Sequence, residues 1–303
     1  MPRGYQGEYR LARRVMITGS GGQLGRELAR TTPAEFECRF FDRSMLDIGD
    51  ASAVQSAVAN YNPDMVINAA AYTAVDRAEQ EPDLAKHING DGPAYLASAC
   101  QKQAGRLLQV STDFVFNGGS SRPYRPDDTP APLSVYGQSK LQGEEGAREA
   151  LPTTVILRTG WVYSAFGNNF VKTMLRLMAE RDELSVVDDQ VGTPTWAKGL
   201  AEACWSIAAS DATGLCYHHT DAGVCSWYDF ACAIGEEALE LGMLSHMPVI
   251  RPIPSSAYPT PAVRPAYSVL DKQSSRRELG LHAIHWRQQL RCMLQDLKAH
   301  NHD

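Results

Sequence analysis

A chain of 303 residues, 44% hydrophobic and 21% charged, has room for one large domain or for a large and a small one. A formal charge of −6 without any dense Lys/Arg block argues against nucleic acid or an anionic membrane as the main partner. No apolar run approaches the ~18 residues of a membrane span and no signal-peptide core is seen, so the expected location is cytoplasmic, with seven scattered cysteines reduced.

Met1 to Ala12 has no apolar periodicity and reads as a loose extension. Arg14 to Thr18 then forms a short buried strand that runs straight into Gly19-Ser20-Gly21-Gly22-Gln23-Leu24-Gly25, ahead of a helix to about Arg30. Glycines at 19, 22 and 25 remove side chains where backbone amides and a helix N-terminus can approach a pyrophosphate. The next strand, Phe36 to Phe41, ends at Asp42-Arg43, 20 residues after Gly22, where dinucleotide folds meet the adenosine ribose. Asp42 suits a 2′-hydroxyl and Arg43 a 2′-phosphate.

A third strand, Asp64 to Asn68, leads into Ala69-Ala70-Ala71, small residues that let the chain pass close beneath a cofactor. One helix is expected from about Pro82 to Gln103, a fourth strand over Arg106 to Val110 and a fifth over Thr154 to Leu157. Alternating βα units imply a doubly wound parallel sheet with its ligand at the carboxyl ends of the strands, where Ser111-Thr112 and the triple alanine sit. Between strands four and five, Tyr136 and Lys140 are one helical turn apart, so phenol and ammonium share a face. An ammonium beside a phenol favours the phenolate, which would bring Tyr136 nearer working pH as a proton donor.

After Arg158 the texture changes. Trp161-Val162-Tyr163 and Gly167-Asn168-Asn169-Phe170 put aromatic and amide groups on loops, which suits a sugar or a base. Helices are expected to about Arg181, near 198–209, near 227–241 and from about Trp286, with a strand near 215–218 and an irregular proline-rich wrap from Pro248 to Pro265. The expected organisation is an extension (1–12), a dinucleotide-binding domain (13–160, with later segments returning to it) and a mainly substrate-binding part (161–303). His218-His219 has no zinc-ligand spacing around it, and no metal site is expected.

The ordered set Gly19/Gly22/Gly25, Asn68 to Asp76, Ser111-Thr112-Asp113 and Tyr136-x-x-x-Lys140 resembles the extended short-chain dehydrogenase/reductases. Within them it is most similar to the dTDP-4-dehydrorhamnose reductase family, through Ala71 to Glu79, Trp161-Val162-Tyr163, Asp189-Gln190-x-Gly192-x-Pro194-Thr195 and Arg264-Pro265. The resemblance implies a Rossmann-type α/β fold with a smaller C-terminal substrate-binding domain, and reduction of a dTDP-sugar's 4-keto group by NADPH, with NADH also accepted. It implies a cofactor site of Gly19, Gly22, Gln23, Leu24, Gly25, Asp42, Arg43, Asp47, Ile48, Ala69, Ala70 and Ala71, joined by Tyr136 and Lys140. Tyr136 would be the general acid, Lys140 its tuner and ribose contact, and Thr112 a donor to the ketone oxygen. Asp113, Trp161, Asn169 and Arg264 would line the sugar-nucleotide pocket, Arg264 as a diphosphate partner.

Some relatives dimerise around magnesium, but Lys198 stands where a carboxylate is needed, so a monomer or a metal-free homodimer is expected. Alternatives stay open: another nucleotide-sugar reductase, or an epimerase or dehydratase, of the same fold, and a non-catalytic regulatory subunit like the β subunit of methionine adenosyltransferase.

Overall fold

The inner strands of the central sheet are buried on both faces, Met65 to Asn68 and Val155 to Thr159 along their whole length, which is what a sheet covered by helices on each side requires. In a computed structural model, which describes residues 13–300, the chain runs β1 (Arg13–Thr18), α1 (Gln23–Arg30), β2 (Phe36–Phe41), α2 (Ala51–Tyr61) and β3 (Met65–Asn68). Short helices α3 (Val75–Ala78) and α4 (Pro82–Lys86) precede α5 (Gly92–Lys102), β4 (Arg106–Thr112), α6 (Val135–Ala150) and β5 (Val155–Thr159). Then follow β6 (Val162–Tyr163), α7 (Phe170–Glu180), β7 (Glu183–Val187), β8 (Val191–Gly192), β9 (Thr195–Trp196) and α8 (Ala197–Ala209). The chain continues with β10 (Cys216–His218), β11 (Cys225–Ser226), α9 (Trp227–Glu240), β12 (Val249–Ile253), α10 (Gln273–Leu279) and α11 (Trp286–His300). The expected extension, Met1 to Ala12, lies outside the described residues.

Six strands pair in the order β10-β5-β4-β3-β1-β2, all parallel. Along β1 the pleat sends Val15 and Ile17 to a core shared with α1 and α8, and Met16 to one shared with α2 and α5. β1 has β2 on one side and β3 on the other, so successive crossovers diverge there and open a crevice at the carboxyl ends of β1 and β3. β10 carries the chain from beyond residue 161 back into this sheet. A separate core of Tyr163, Met174, Phe230, Trp286 and Leu290 packs α7, α9 and α11 together. Among the described residues no helix is long and apolar enough to cross a membrane.

Two expectations need correction. The single helix over Pro82 to Gln103 is interrupted by a π turn at His87–Asp91. The extra residue swings buried Asn89 out of the regular ladder, and its amide clamps the backbone of Tyr72, accepting from the N–H at 2.8 Å and donating to the carbonyl at 2.9 Å. The proline-rich wrap contains a strand, β12, parallel to β7. The two form a sheet of their own, where the missing N–H of Pro252 is tolerated because it can face away from the single partner.

Candidate active site

Helix α1 is preceded at its cap position by Gly22, which has no side chain to cap it, so the first amides of the helix are left for an outside acceptor. Gly19 sits at φ +71°, and a Cβ there would fall 2.5 Å from the Ala70 nitrogen, so only glycine lets this turn lie against the triple alanine. A buried chain fixes that second loop: Thr18 Oγ1 donates to Asn68 Oδ1 at 2.6 Å, Asn68 Nδ2 donates to Gln109 Oε1 at 2.7 Å, and the Ala70 amide returns to Asn68 Oδ1 at 3.2 Å. Bare amides over a floor without side chains fit the pyrophosphate of a dinucleotide.

Helix α6 is started by Ser134, whose hydroxyl accepts from the Gly137 amide at 3.2 Å, while Glu79 accepts from the Val135 amide at 2.8 Å. Gly137 allows the backbone to press against the Phe114 carbonyl. The start of the helix therefore aims Tyr136 and Lys140 at the end of β4, where Thr112 lies, so the three expected catalytic residues line one cleft of about 1000 Å³.

The electrostatics differ from expectation. Tyr136 is pushed up to about 12 by burial and by the charge of Asp113, with the Thr112 hydroxyl opposing the shift. Lys140 is pulled down to about 8 by burial, against the field of Glu144, and its ammonium donates to the Val110 carbonyl at 2.7 Å. The expected lowering of the phenol by its lysine neighbour is not seen: burial is the largest cause of the shift, and the ammonium is turned to the backbone. Thr112 Oγ1 donates to Asp113 Oδ1 at 3.0 Å and accepts from the Phe114 amide at 3.2 Å. Asp113 itself is buried, which raises it to about 6.

Gly19, Gly22, Gln23, Leu24, Asp42 and Arg43 line the same cleft, as do Asp47, Ile48 and Ala69 to Ala71. One Asp42 oxygen takes the Ser44 amide and hydroxyl at 2.8 and 2.6 Å and the Met45 amide at 3.1 Å, which turns the carboxylate toward its own loop. Arg43 is left exposed, with Asp47 no nearer than 3.9 Å. Gly25 does not line the cleft. It is buried, and a Cβ there would overlap the Gly19 carbonyl oxygen, so its part is packing of helix against turn.

Of the four expected sugar-pocket residues, Asp113, Trp161 and Arg264 line the cleft. Arg264 is paired through its two terminal guanidinium nitrogens with Asp76, at 2.8 and 3.1 Å. Asn169 is not brought to the cleft. Its Oδ1 caps α7 through the Lys172 amide at 3.1 Å, and its Nδ2 donates to Gln23 Oε1 and the Ser164 carbonyl at 2.9 and 2.7 Å. Its neighbour Asn168 lines the cleft instead.

Sequence reasoning missed Trp227, which stacks on Trp161 and shares the cleft wall. The one signal near it is the capping box of Ser226 and Asp229, which starts a helix and carries no hint of a site. Among the described residues there is no group of three or more His, Cys, Asp or Glu arranged to hold a metal ion. Lys198, in the helix after Thr195, lies over the Trp196 ring at 5.1 Å.

The family model described as RmlD substrate binding domain matches residues 13–299. The spore coat polysaccharide biosynthesis protein SpsK of Bacillus subtilis is 43% identical over 285 residues, covering 93% of this chain and 97% of that protein. The dTDP-4-dehydrorhamnose reductase of Aggregatibacter actinomycetemcomitans is 42% identical over 92% of this chain and 97% of its own length. A crystal structure of dTDP-4-dehydrorhamnose reductase from Bacillus anthracis in complex with NADP superposes with a TM-score of 0.88 at 38% identity, covering 94% and 99% of the two chains. A UDP-glucose 4-epimerase from Thermus thermophilus, at 20% identity and a TM-score of 0.78, shares the fold. The chain accordingly belongs to the RmlD family, within the Rossmann-type extended short-chain dehydrogenase/reductases.

Proposed function

We propose that this protein is an NADPH-dependent oxidoreductase that reduces the 4-keto group of dTDP-4-dehydro-L-rhamnose to give dTDP-L-rhamnose. The observation that carries this reading is the convergence of Tyr136, Lys140 and Thr112 on the cleft that also holds the bare amides of the glycine turn. The family relatives named as dTDP-4-dehydrorhamnose reductases, and the NADP in the Bacillus anthracis structure, support the choice of substrate and cofactor.

A nicotinamide cofactor bound along the glycine turn supplies the hydride. Tyr136, kept protonated by burial, gives its proton to the ketone oxygen as negative charge builds there. Thr112 offers a second hydrogen bond to that oxygen. Lys140 spends one of its three donors on the Val110 carbonyl, which leaves two for the nicotinamide ribose. Arg43 meets the 2′-phosphate, because Asp42 has turned its charge into the following loop. Trp161 and Trp227 give the sugar nucleotide an apolar wall, and Arg264, held by Asp76, faces the diphosphate with its remaining donors.

The test is a coupled assay. The protein is mixed with the 4-keto sugar nucleotide, the epimerase that inverts its ring and NADPH, and cofactor absorbance is followed. Stoichiometric oxidation of NADPH with formation of the deoxysugar nucleotide is expected. A folded, NADPH-binding protein that oxidises no cofactor in the complete mixture would instead favour a binding role.

A further inference from the structure

The Thr112 hydroxyl has one hydrogen, and in this structure Asp113 has it. A carboxylate can only accept, so the 3.0 Å contact between Thr112 Oγ1 and Asp113 Oδ1 is donated by the threonine. The Phe114 amide takes one of the lone pairs on the same oxygen. A ketone oxygen can only accept as well. With Asp113 ionised, Thr112 therefore cannot donate to its carboxylate and to the substrate at once.

We propose that Asp113 is a positioning residue that acts through Thr112: in its neutral form it donates to Thr112 Oγ1 and releases the threonine hydrogen to the substrate's ketone oxygen. The lone-pair count allows this arrangement once the Tyr136 hydroxyl, which also hydrogen-bonds Thr112, turns to the ketone: Oγ1 then accepts from the Phe114 amide and from the carboxylic acid while donating once. The proton on Asp113 is not consumed in turnover. The transferred proton leaves Tyr136, the new C–H bond takes the hydride, and the phenolate recovers its proton from solvent. The inference rests on the ketone-reduction reading.

The surroundings favour a neutral carboxyl near the working range. Asp113 is 2% exposed, and burial raises it to about 6 against the Thr112 and Ser268 hydroxyls and the Asp113 and Phe114 amides, which hold it down. From β5 onward it faces Gly160, whose Cα leaves no room for a side chain beside its carboxylate. Across the cleft on α6 stands Tyr136, which feels its charge, while Lys140 is bonded to Val110 and takes its field from Glu144. Arg264 is committed to Asp76, and Arg158 to Glu144. Among the described residues no cation pairs with Asp113 to hold it ionised. Loss of the proton also raises Tyr136 further, so both consequences slow the reaction as pH rises.

The experiment is single-turnover NADPH oxidation by the full chain at saturating 4-keto sugar nucleotide, across roughly pH 5 to 8. The wild type should lose rate as pH rises through about 6, by roughly tenfold or more, within the ~10²–10³ that an oxyanion donor is worth. Asp113→Asn has nothing to titrate and should show no such step. Thr112→Val should be slower throughout and lose most of the step. A step of wild-type size in either variant overturns the proposal. If Asp113→Asn does not fold, wild type against Thr112→Val decides alone. A wild type that oxidises no NADPH at any pH, though it binds the cofactor, takes down the reduction reading and this inference with it.

Discussion

Trp161 and Trp227 lie face to face, with ring centroids 3.5 Å apart and planes 3° from parallel. Trp161 adopts φ +51°, a left-handed conformation that a bulky residue enters only when its surroundings impose it. They do so from two sides. The Trp227 ring covers one face of the Trp161 indole, and the Trp161 ring itself occupies the space beside Gly192, where a Cβ would stand 2.5 Å from it. The stack thus keeps Trp161 on the wall of the cleft.

Removing that support should be read in the sugar nucleotide rather than the cofactor. An aromatic pair contributes about 0.5–1.5 kcal/mol beyond area burial, so Trp227→Ala should raise KM for the sugar nucleotide roughly 3- to 10-fold. The NADPH constant should stay within about twofold, because neither tryptophan belongs to the glycine turn or to the Asp42-Arg43 end of the cleft. Equal rises in both constants would show that Trp227 acts on the whole fold instead.

The cofactor end gives a second test. Among the described residues the nearest carboxylate to Arg43 is Asp47 at 3.9 Å, and the Arg43 side chain is exposed, which leaves it able to meet a phosphate. A hydrogen bond to a charged group contributes about 1.5–3 kcal/mol, so Arg43→Ala should weaken NADPH roughly 10- to 100-fold. NADH, which lacks the phosphate, should change little. A parallel loss for the two cofactors, measured by fluorescence titration, would remove Arg43 from the site.

Much of this geometry was legible in the sequence because it is local. The strand, glycine turn and helix of residues 14–30 announce themselves by composition, and one helical turn between Tyr136 and Lys140 guarantees a shared face. What was not legible depends on contacts between distant segments. Asn169 looked like a polar group on a binding loop, but Gln23, far away in sequence, takes its amide. Trp227 reaches the cleft only because α9 packs beside the loop that carries Trp161. The sign of the Tyr136 shift was missed because burial is a property of the assembled core, while spacing shows only the nearby lysine.

Behind α6, Arg158 on β5 grips Glu144 through three contacts of 2.7 to 3.2 Å, with both side chains 4% exposed. Arg158→Met would leave an unpaired carboxylate in the core, so it should cost about 3–5 kcal/mol of stability in denaturant titration. Glu144→Gln/Arg158→Met should recover part of that loss, because neither charge is then buried alone. Glu144 also supplies the field that raises Lys140 against burial. Without it the ammonium should deprotonate at lower pH, so in the double variant the alkaline decline in NADPH affinity should begin earlier than in the wild type. An unshifted decline would mean that Lys140 does not hold the cofactor.

The decisive substitution is Tyr136→Phe. The ring packs edge-on to Phe114 at 5.6 Å and belongs to a small core with Ala78 and Ala85, contacts that phenylalanine keeps. Only the hydroxyl, which lies at the wall of the cleft, is lost, so the melting temperature should change little. Turnover should. With burial pushing the phenol up to about 12, Tyr136 should keep its proton across an assay from about pH 5 to 9, and the variant should be slow across the whole range rather than at one end. General acid catalysis contributes about 10²–10⁴-fold, so kcat should drop by that order while the sugar nucleotide binds nearly as before. A variant that keeps more than about a tenth of the wild-type single-turnover rate would mean that another group delivers the proton, with Thr112 the next donor to test by the same measurement.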